Sequence, residues 1–557
     1  MKIQNLMLVT LSLLLAGCTA RSESGSPRAS LPSVPVIFKS SNLNARTNCG
    51  TSFLEHDLKH TTIPRGGDRV VYDSNGSGVA VGDLDRDGLP EIVLGNIGAS
   101  ASVQWNLGNF KFQSQELLNN LGMPESQTRA VALVDVNADG WLDIVFTHSQ
   151  GGMDAWINDH HKGFKLETLN GVDYPAYTMM WDDLKGTGSL DLVTASYDAL
   201  LETELKDSFL LSRGAGVIVY KHNGNNFEST RLAKESQTLA MAMFDVNHDG
   251  KRDLIVGNDF AVPDLSFLNN TSDWKSVKPF KRTTKNTMGF SSSDIDNDGK
   301  LELFATDMKP KMDDEKVIAK WITFMQKTYE KSQYSSLQRA ENVLERQNPD
   351  GSFQNIAYEL GLDATGWSWS AKFGDLNNDG FEDLYIVNGM IDTENLRYLP
   401  NNELVESNKA YSNKNGHFTL EPAWNLASTS SGRGMSMTDL NNDGQLDIVI
   451  NNLSKPAQVF ENQLCGGDSL EVELNWANSS NTKGIGATVY LNSSDTTMQR
   501  EVLSQSGYLS GNDPRIHFGI AKNTALESLE VVWSDGKRSV IEKPIANTIL
   551  NISRSQK

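Results

Sequence analysis

The segment that decides the fold reads Gly78-Val-Ala-Val-Gly-Asp83-Leu-Asp85-Arg-Asp87-Gly88-Leu-Pro-Glu91-Ile-Val-Leu-Gly95. Two short apolar runs of strand-forming residues flank a turn that is rich in Asp and Gly. Counted from Asp83, carboxylates occupy positions 1, 3, 5 and 9 of this turn, and glycine occupies position 6. A tight turn of this kind aims several oxygen atoms at one point. The segment therefore predicts two strands joined by a cation-binding loop.

The same phrase occurs seven times, and the copies are called loops 1 to 7 here. Their first aspartates lie 48 to 81 residues apart, a spacing typical of a propeller or repeat array. Six copies are intact. Their predicted metal ligands are Asp83, Asp85, Asp87 and Glu91 (loop 1), Asp135, Asn137, Asp139 and Asp143 (loop 2), Asp245, Asn247, Asp249 and Asp253 (loop 4), Asp294, Asp296, Asp298 and Glu302 (loop 5), Asp375, Asn377, Asp379 and Asp383 (loop 6), and Asp439, Asn441, Asp443 and Asp447 (loop 7).

Calcium is the predicted cofactor, at about six sites, because Ca²⁺ prefers six to eight oxygen ligands at about 2.3–2.6 Å. Loop 3, Asp183–Asp191, carries Lys185 and Thr187 at positions 3 and 5, so we predict that it binds no metal. The alternative is that all the loops are Asx turns that join strands without metal. An EF-hand is excluded, because its last acid stands at position 12 and its flanks are helices.

A second phrase follows most loops, with an aromatic or aliphatic residue, Asn, a glycine turn and Phe, as in Trp105 to Phe110 and Tyr411 to Phe418. It predicts a second hairpin, so that each repeat forms the four strands of one propeller blade. The predicted fold is all-β, a seven-bladed β-propeller over residues 46–465 followed by a small β domain over residues 466–557.

The N-terminus is predicted to be a lipoprotein signal peptide over residues 1–17. An apolar run ends in Leu15-Ala16-Gly17-Cys18, and small residues before a cysteine resemble the bacterial lipobox. Cys18 would then be lipidated and would attach the protein to a membrane, which we expect to be the outer membrane of a bacterial envelope. An ordinary signal peptide is the alternative. Residues 18–45 are predicted to form a flexible linker.

Two further features interrupt or bracket the repeats. Cys49 and Cys465 lie just before the first repeat and just after the last one, so a disulfide between them would join the ends of the array; two unpaired thiols are the alternative. Residues 309–347 have apolar residues at helical spacing and predict one or two amphipathic helices. These helices would pack over one propeller face, or serve as a partner site or lid.

The charge balance and the absence of certain motifs argue against some classes of function. The chain has 557 residues, and 70 Asp and Glu against 50 Lys and Arg give a formal charge of −20. This balance argues against nucleic acid as a partner. The sequence has no nucleophile elbow, no HExxH motif and no phosphate loop. Whether the protein is an enzyme stays open, and the absence of these motifs favours a non-enzyme.

The seven phrases resemble FG-GAP/VCBS repeats, the blades of integrin α-like propellers. Residues 466–557 look like the ASPIC/UnbV domain, on the segments Gly484–Val489, Gly507–Gly519 and Val532–Lys537. The combination is similar to bacterial members of the CRTAC1-like (cartilage acidic protein) family. That resemblance implies a secreted or surface calcium-binding protein, often placed near adhesion or matrix.

If the blades resemble those of integrin, the calcium loops line one face, and the starts of the inner strands meet around a channel at the other. Candidate ligand-binding residues there are Arg129, Tyr177, Trp367, Trp369 and Arg433. Alternatively, the tryptophans fill the interfaces between blades. We expect a binding or adhesion module for a glycan or protein partner. The alternative is a carbohydrate lyase or hydrolase that uses the channel. The oligomeric state is left open.

Overall fold

The computed structural model describes residues 27–46, 49–65, 70–119, 122, 125–148, 153–160, 163–205, 216–224, 226–260, 262–312, 315–331, 338–494 and 496–555. Within these ranges the chain is almost entirely β-structure, which confirms the predicted all-β propeller class with a C-terminal β domain. Cys18 and the predicted signal peptide lie outside the described residues. Among the residues described, no helix is both long and apolar enough to cross a membrane.

Seven antiparallel sheets form the larger part of the described chain. The first four contain β3 (Val79–Gly82), β4 (Glu91–Leu94), β5 (Ser102–Asn106) and β6 (Phe112–Glu116); β7 (Thr128–Val134), β8 (Asp143–His148), β9 (Met153–Asn158) and β10 (Phe164–Thr168); β11 (Thr178–Asp182), β12 (Asp191–Ala195), β13 (Val217–Asn223) and β14 (Asn226–Ala233); and β15 (Thr238–Phe244), β16 (Asp253–Asn258), β17 (Leu265–Asn269) and β18 (Trp274–Val277). Strands β1 (Ile37–Asn42) and β2 (Phe53–Thr61) precede them.

The other three sheets carry the insertions. The fifth contains β20 (Gly289–Ser293), β21 (Glu302–Thr306), β24 (Val343–Gln347) and β25 (Phe353–Asn355); the sixth contains β22 (Met308–Lys309), β26 (Gly366–Gly374), β27 (Asp383–Asn388), β30 (Lys409–Lys414) and β31 (His417–Leu420); and the seventh contains β32 (Gly432–Thr438), β33 (Asp447–Asn452) and β34 (Pro456–Asn462), with β2 as its outer strand. Two short pairs lie outside these sheets, β19 (Thr283–Thr284) with β23 (Gln338–Arg339), and β28 (Met390–Ile391) with β29 (Glu403–Leu404).

The sheets follow one another around a closed ring. Their inner strands are neighbours in the cyclic order β3, β7, β11, β15, β20, β26, β32 and back to β3. Apolar clusters fill the spaces between neighbouring sheets, as where Val93 and Val103 pack with Ile144 and Phe146. The inner and second strands are therefore buried on both faces, which is why their sequences are nearly continuous apolar runs.

The ring is closed by N-terminal residues. Because β2 pairs antiparallel with β34, the start of the propeller supplies the last strand of its last sheet. The structure joins Cys49, before β2, to Cys465, after β34, in a disulfide with the Cα atoms 5.2 Å apart. This separation lies within the usual range for disulfides.

The C-terminal domain contains two four-stranded sheets and a short hairpin. Their strands are β35 (Asp468–Trp476), β36 (Thr488–Ser493), β37 (Thr497–Glu501), β38 (Gln505–Ser506), β39 (Ser510–Gly511), β40 (Ile516–Ile520), β41 (Leu526–Val532), β42 (Arg538–Glu542) and β43 (Thr548–Arg554). Strand β1 pairs with β43, so the prediction of a flexible linker over residues 18–45 is wrong for residues 37–42. All six β1 residues are exposed, so their sequence has no alternating apolar pattern that would reveal the strand.

Among the described residues, two helices interrupt the order of the strands. Helix α1 (Asp198–Leu205) lies between β12 and β13, and helix α2 (Glu315–Lys331) lies between β22 and β23. The predicted helical insertion over 309–347 is wrong at its C-terminal end, because Val343–Gln347 form strand β24 of the fifth sheet. Trp321 anchors α2, since its ring is buried and stacks on Trp367 with the centroids 5.6 Å apart.

Candidate functional site

In all seven loops the amide of the position-6 glycine donates to the position-1 aspartate, and in the six intact loops the amide after position 1 also donates to the position-9 carboxylate. Each loop connects the inner strand of a sheet to the second strand. In loop 1 the Gly88 amide donates to Asp83 Oδ2 (3.0 Å), and the Leu84 amide donates to Glu91 Oε2 (2.8 Å). Gly88 has a φ of 92°, a conformation in which a side chain is strained. The carboxylates at positions 1 and 9 therefore stabilise the turn by accepting hydrogen bonds from its backbone amides. This role is additional to any role in binding metal.

Loop 1 brings together carboxylates that could hold a metal ion. Asp83, Asp85 and Glu91 each offer a carboxylate oxygen, and these atoms lie within 4.8 Å of one another. Asp83 Oδ1 is buried and has no hydrogen-bond partner among the described residues. Burial, with smaller contributions from Asp85 and Asp83, raises the pKa of Glu91 to about 8. Oxygen atoms held together in this way fit a hard divalent cation such as Ca²⁺.

Loop 5 also gathers acidic oxygen atoms, from Asp294, Asp296 and Asp298. A positively charged side chain already contacts this loop, because Arg346 on β24 lies 2.8 Å from both Asp296 Oδ2 and Glu302 Oε1. Sequence analysis missed Arg346, since it lies far from the loop in the chain. Asp296 Oδ1 remains buried without a hydrogen-bond partner in the described structure. A metal ion at loop 5 would therefore share its ligands with a guanidinium group.

Three loops with Asn at position 3 are closed by a side-chain hydrogen bond. The Nδ2 atoms of Asn137, Asn247 and Asn441 donate to the aspartate two residues later, at 3.0, 3.3 and 3.1 Å. In loop 6 the Asn377 side chain also hydrogen-bonds Asp379, while Asn377 Oδ1 is buried without a partner within the described residues. Within the described residues, carboxylate oxygens gather within 4.8 Å of one another in loops 1 and 5, and the ligand sets of the other intact loops stay predictions.

Loop 3 has the same glycine turn as the other loops but lacks their oxygen ligands at positions 3 and 5. The Gly188 amide still donates to Asp183 Oδ2, at 2.7 Å. Lys185 Nζ lies 3.8 Å from Asp191 Oδ1, so an ammonium group stands beside the carboxylate at position 9. The backbone conformation of these loops therefore does not require a metal.

Asparagines in the second hairpins join neighbouring sheets. Asn158 donates from its backbone to Asp143 Oδ1 (2.8 Å) and from Nδ2 to the Leu84 carbonyl of the preceding loop (2.8 Å). The same side-chain bond, at 2.8 Å each, is made by Asn106, Asn269, Asn413 and Asn462. The Asn that recurs in the second phrase is the sequence signal for this role. From the sequence alone, it predicts only a turn.

The C-terminal domain covers the loop face of the ring. Thr482 Oγ1 donates to Asp135 Oδ2 and Ser534 Oγ donates to Asp183 Oδ2, both at 2.6 Å. Arg515 reaches the Gly88 carbonyl at 3.0 Å. Carboxylates at position 1 of loops 2 and 3 are thus shared between the propeller and the second domain.

The β38–β39 hairpin of this domain fills the central channel. Its tip residue Tyr508 is fully buried and bonds the Tyr177 hydroxyl (3.0 Å) and the Asn75 carbonyl (2.9 Å). Backbone bonds also join Gly507 to Phe290 of β20. A Cβ at Gly78 on the first blade would lie 1.8 Å from the Leu509 carbonyl oxygen. Glycine is therefore required there for the hairpin to enter.

The predicted ligand residues surround this hairpin instead of an open channel. Arg129, Tyr177, Trp369 and Arg433 are fully or almost fully buried, and Trp367 lies beneath α2. The Arg433 guanidinium lies 4.3 Å from the Trp369 ring centroid, and burial lowers the pKa of Arg433 to about 9. The expectation that these side chains line an accessible channel is corrected, because the chain's own C-terminal domain occupies that space.

An accessible polar cleft lies elsewhere, between the loop face and the C-terminal domain. Its volume is about 970 Å³. Side chains from loops 1, 2 and 7 form one wall, with Arg86, Asp139 and Asn442 among them, and Asn475 and Lys483 stand on the other. Arg86 is held by stacking on Trp141, with its guanidinium carbon 4.2 Å from the ring centroid.

Residues 477–557 match the family described as ASPIC and UnbV, and residues 83–146 and 245–305 match the FG-GAP-like repeat family. Together with the sheet order, these matches define a β-propeller of FG-GAP repeats with a C-terminal ASPIC/UnbV domain. Cartilage acidic protein 1 of Mus musculus is 31% identical over 579 aligned positions, covering 86% of this chain and 75% of the mouse protein. The chain belongs to the cartilage acidic protein family.

Other matches are shorter or purely structural. Cartilage acidic protein 1 of Xenopus tropicalis is 35% identical over 136 residues, 23% of this chain and 21% of the frog protein, so that match spans about a fifth of its length. A Bacillus licheniformis rhamnogalacturonan lyase structure has a TM-score of 0.37 at 10% identity, covering 74% of this chain and 76% of the lyase. The Saccharomyces cerevisiae Sqt1 structure has a TM-score of 0.41 at 11% identity, and the match covers 74% of this chain and 99% of Sqt1. These low TM-scores carry no functional information.

Proposed function

We propose that this protein is a calcium-binding, lipid-anchored propeller of the bacterial cell envelope that binds a glycan or protein partner. The carrying observation is loop 1, where convergent carboxylates include a buried oxygen without a hydrogen-bond partner. Desolvated carboxylates that repel one another destabilise the fold unless a cation neutralises them. Calcium would therefore stabilise the ring and the C-terminal domain that rests on it.

Calcium binding is tested by elemental analysis and by thermal melting with and without EGTA. We expect bound calcium in the purified protein and a clear fall in melting temperature on chelation. Asp85→Asn in loop 1 should weaken binding at one site, while Thr187→Ala in loop 3 is the matched control and should change nothing. A calcium-free protein with a melt insensitive to EGTA would refute the calcium proposal.

The proposed partner site is the polar cleft beside loops 1, 2 and 7. Amide, hydroxyl and charged side chains suit a glycan or a polar peptide, and the ordered Arg86 offers a rigid donor. Binding to a glycan array or to envelope proteins should be weakened by Lys483→Ala. Lys522→Ala, an exposed position outside the cleft, should bind as the wild type does. Equal loss in both variants would argue against this site.

The alternative function, a carbohydrate lyase or hydrolase acting in the channel, is supported by no observation in the described residues, because the hairpin occupies the channel. The lipid anchor is tested separately by Cys18→Ser. This variant should move from the membrane fraction to the soluble fraction, and its persistence in the membrane fraction would contradict the anchor.

A further inference from the structure

A histidine and two carboxylates meet at one end of the strands of the second sheet, away from loop 2. Glu125 precedes β7, His148 ends β8, and Asp154 lies on β9. Strand β8 starts at Asp143, the last ligand position of loop 2, and runs away from the loop. His148 therefore lies toward the opposite face of the ring, so the three residues form a separate group.

The three side chains have the spacing of ligands around one ion. His148 Nε2 lies 3.5 Å from Glu125 Oε1 and 2.7 Å from Asp154 Oδ2, and each of the three residues offers one ligand atom within 4.8 Å of the others. Ligands at about 2.0–2.2 Å from a Zn²⁺ ion are roughly 2.9–3.5 Å apart. Only the contact between His148 and Asp154 is shorter, and the Asp154 side chain is 36% exposed, so it is free to shift by a few tenths of an ångström.

The orientation of the imidazole also fits metal binding. His148 Nε2 lies 2.7 Å from Asp154 Oδ2 and 3.5 Å from Glu125 Oε1, so this ring nitrogen faces both carboxylates. The ring also bonds the Ser126 backbone, which by elimination uses Nδ1. A second ring nitrogen fixed on a backbone carbonyl is the usual support of a metal-binding histidine.

Charge favours a cation at this point. The Glu125 side chain is only 5% exposed, and it contacts the basic side chain of His148. Two carboxylates beside one imidazole, where little water can solvate them, favour a positive charge between them. A divalent ion neutralises both, and a half-exposed Asp154 leaves a route for its entry.

We propose that Glu125, His148 and Asp154 bind a divalent transition-metal ion, with Zn²⁺ as the probe, independently of the calcium loops. One imidazole and two carboxylates suit Zn²⁺ and its neighbours better than Ca²⁺, which prefers oxygen ligands alone. Three protein ligands leave at least one coordination position for water or for a group of a bound partner.

The test measures Zn²⁺ binding by calorimetry to the purified protein in saturating Ca²⁺, and the visible spectrum after Co²⁺ is added instead. We expect one equivalent of Zn²⁺ and a Co²⁺ spectrum that Zn²⁺ abolishes. His148→Gln should weaken binding by more than the roughly 10–100-fold typical of losing an outer-shell partner. The matched control is His56→Gln, since His56 Nε2 pairs with a single carboxylate, Glu461, at 2.8 Å.

Asp154→Asn provides a second variant at a half-exposed position, in case His148→Gln does not fold, and it should also weaken binding. The proposal is overturned if the folded wild type binds no Zn²⁺ in saturating Ca²⁺. The cluster would then be an ion pair between a protonated His148 and the two carboxylates. It is also overturned if His56→Gln loses binding as His148→Gln does, or if Asp154→Asn binds like the wild type. None of these outcomes depends on whether the loops hold calcium.

Discussion

Replacing Tyr508 by alanine tests whether the channel hairpin makes the propeller and the C-terminal domain one cooperative unit. The Tyr508 side chain is fully buried at the centre of the ring and packs on Trp369, with the ring centroids 5.0 Å apart. Its hydroxyl bonds Tyr177 and the Asn75 carbonyl. Both the ring and the hydroxyl should therefore contribute to stability.

The magnitude follows from these contacts. Removing a buried aromatic ring typically costs about 3–5 kcal/mol because of lost burial and a residual cavity. The two hydrogen bonds add about 1 kcal/mol each. Tyr508→Ala should therefore lower the free energy of unfolding by about 5–7 kcal/mol. Tyr508→Phe, which keeps the ring, should lower it by about 1–2 kcal/mol.

The assay is urea unfolding in saturating Ca²⁺, followed by tryptophan fluorescence and by far-ultraviolet circular dichroism. Tyr358→Ala is the control, since this tyrosine is 80% exposed, and its effect should stay within about 0.5 kcal/mol. A Tyr508→Ala protein as stable as this control would refute the reasoning. A separate, unshifted transition for the propeller would refute the coupling of the two parts.

Three further changes test other parts of the fold. Lys372 is buried on β26, and burial lowers its pKa to about 7. Between that pKa and about 10.4 the unfolded chain binds more protons than the folded one, so Lys372 makes the free energy of unfolding rise with pH. Lys372→Met should therefore stabilise the protein by about 2 kcal/mol at pH 7. In thermal melts recorded at several pH values, this variant should show a smaller rise of stability with pH. Gly78→Val should clash with the Leu509 carbonyl and expose the hairpin to limited proteolysis, whereas an unchanged digestion pattern would contradict the close approach. Cys465→Ser should destabilise the ring by about 2–4 kcal/mol in urea unfolding without reductant, and a stability equal to that of the wild type would show that the disulfide contributes nothing.

Much of the ring was predictable because its determinants are local. Each Asp-rich loop sets its own turn through hydrogen bonds such as the one from Gly88 to Asp83, and the flanking apolar runs set the strands. The partners of these loops were not predictable. Arg346 reaches loop 5 from another part of the chain, and Thr482 reaches loop 2 from another domain. Contacts of this kind leave no periodic signal in the sequence.

The sequence by itself determined the repeat, its strand–loop–strand unit and the positions of the acidic side chains, because these depend on residues within about ten positions of one another. Only the tertiary structure decided what fills the channel and what remains open. The hairpin around Tyr508 enters the ring because burying its aromatic and backbone groups there satisfies hydrogen bonds from several blades at once. That packing hides Arg129, Tyr177 and Arg433, and it leaves the cleft at the domain junction as the accessible polar surface we propose for binding.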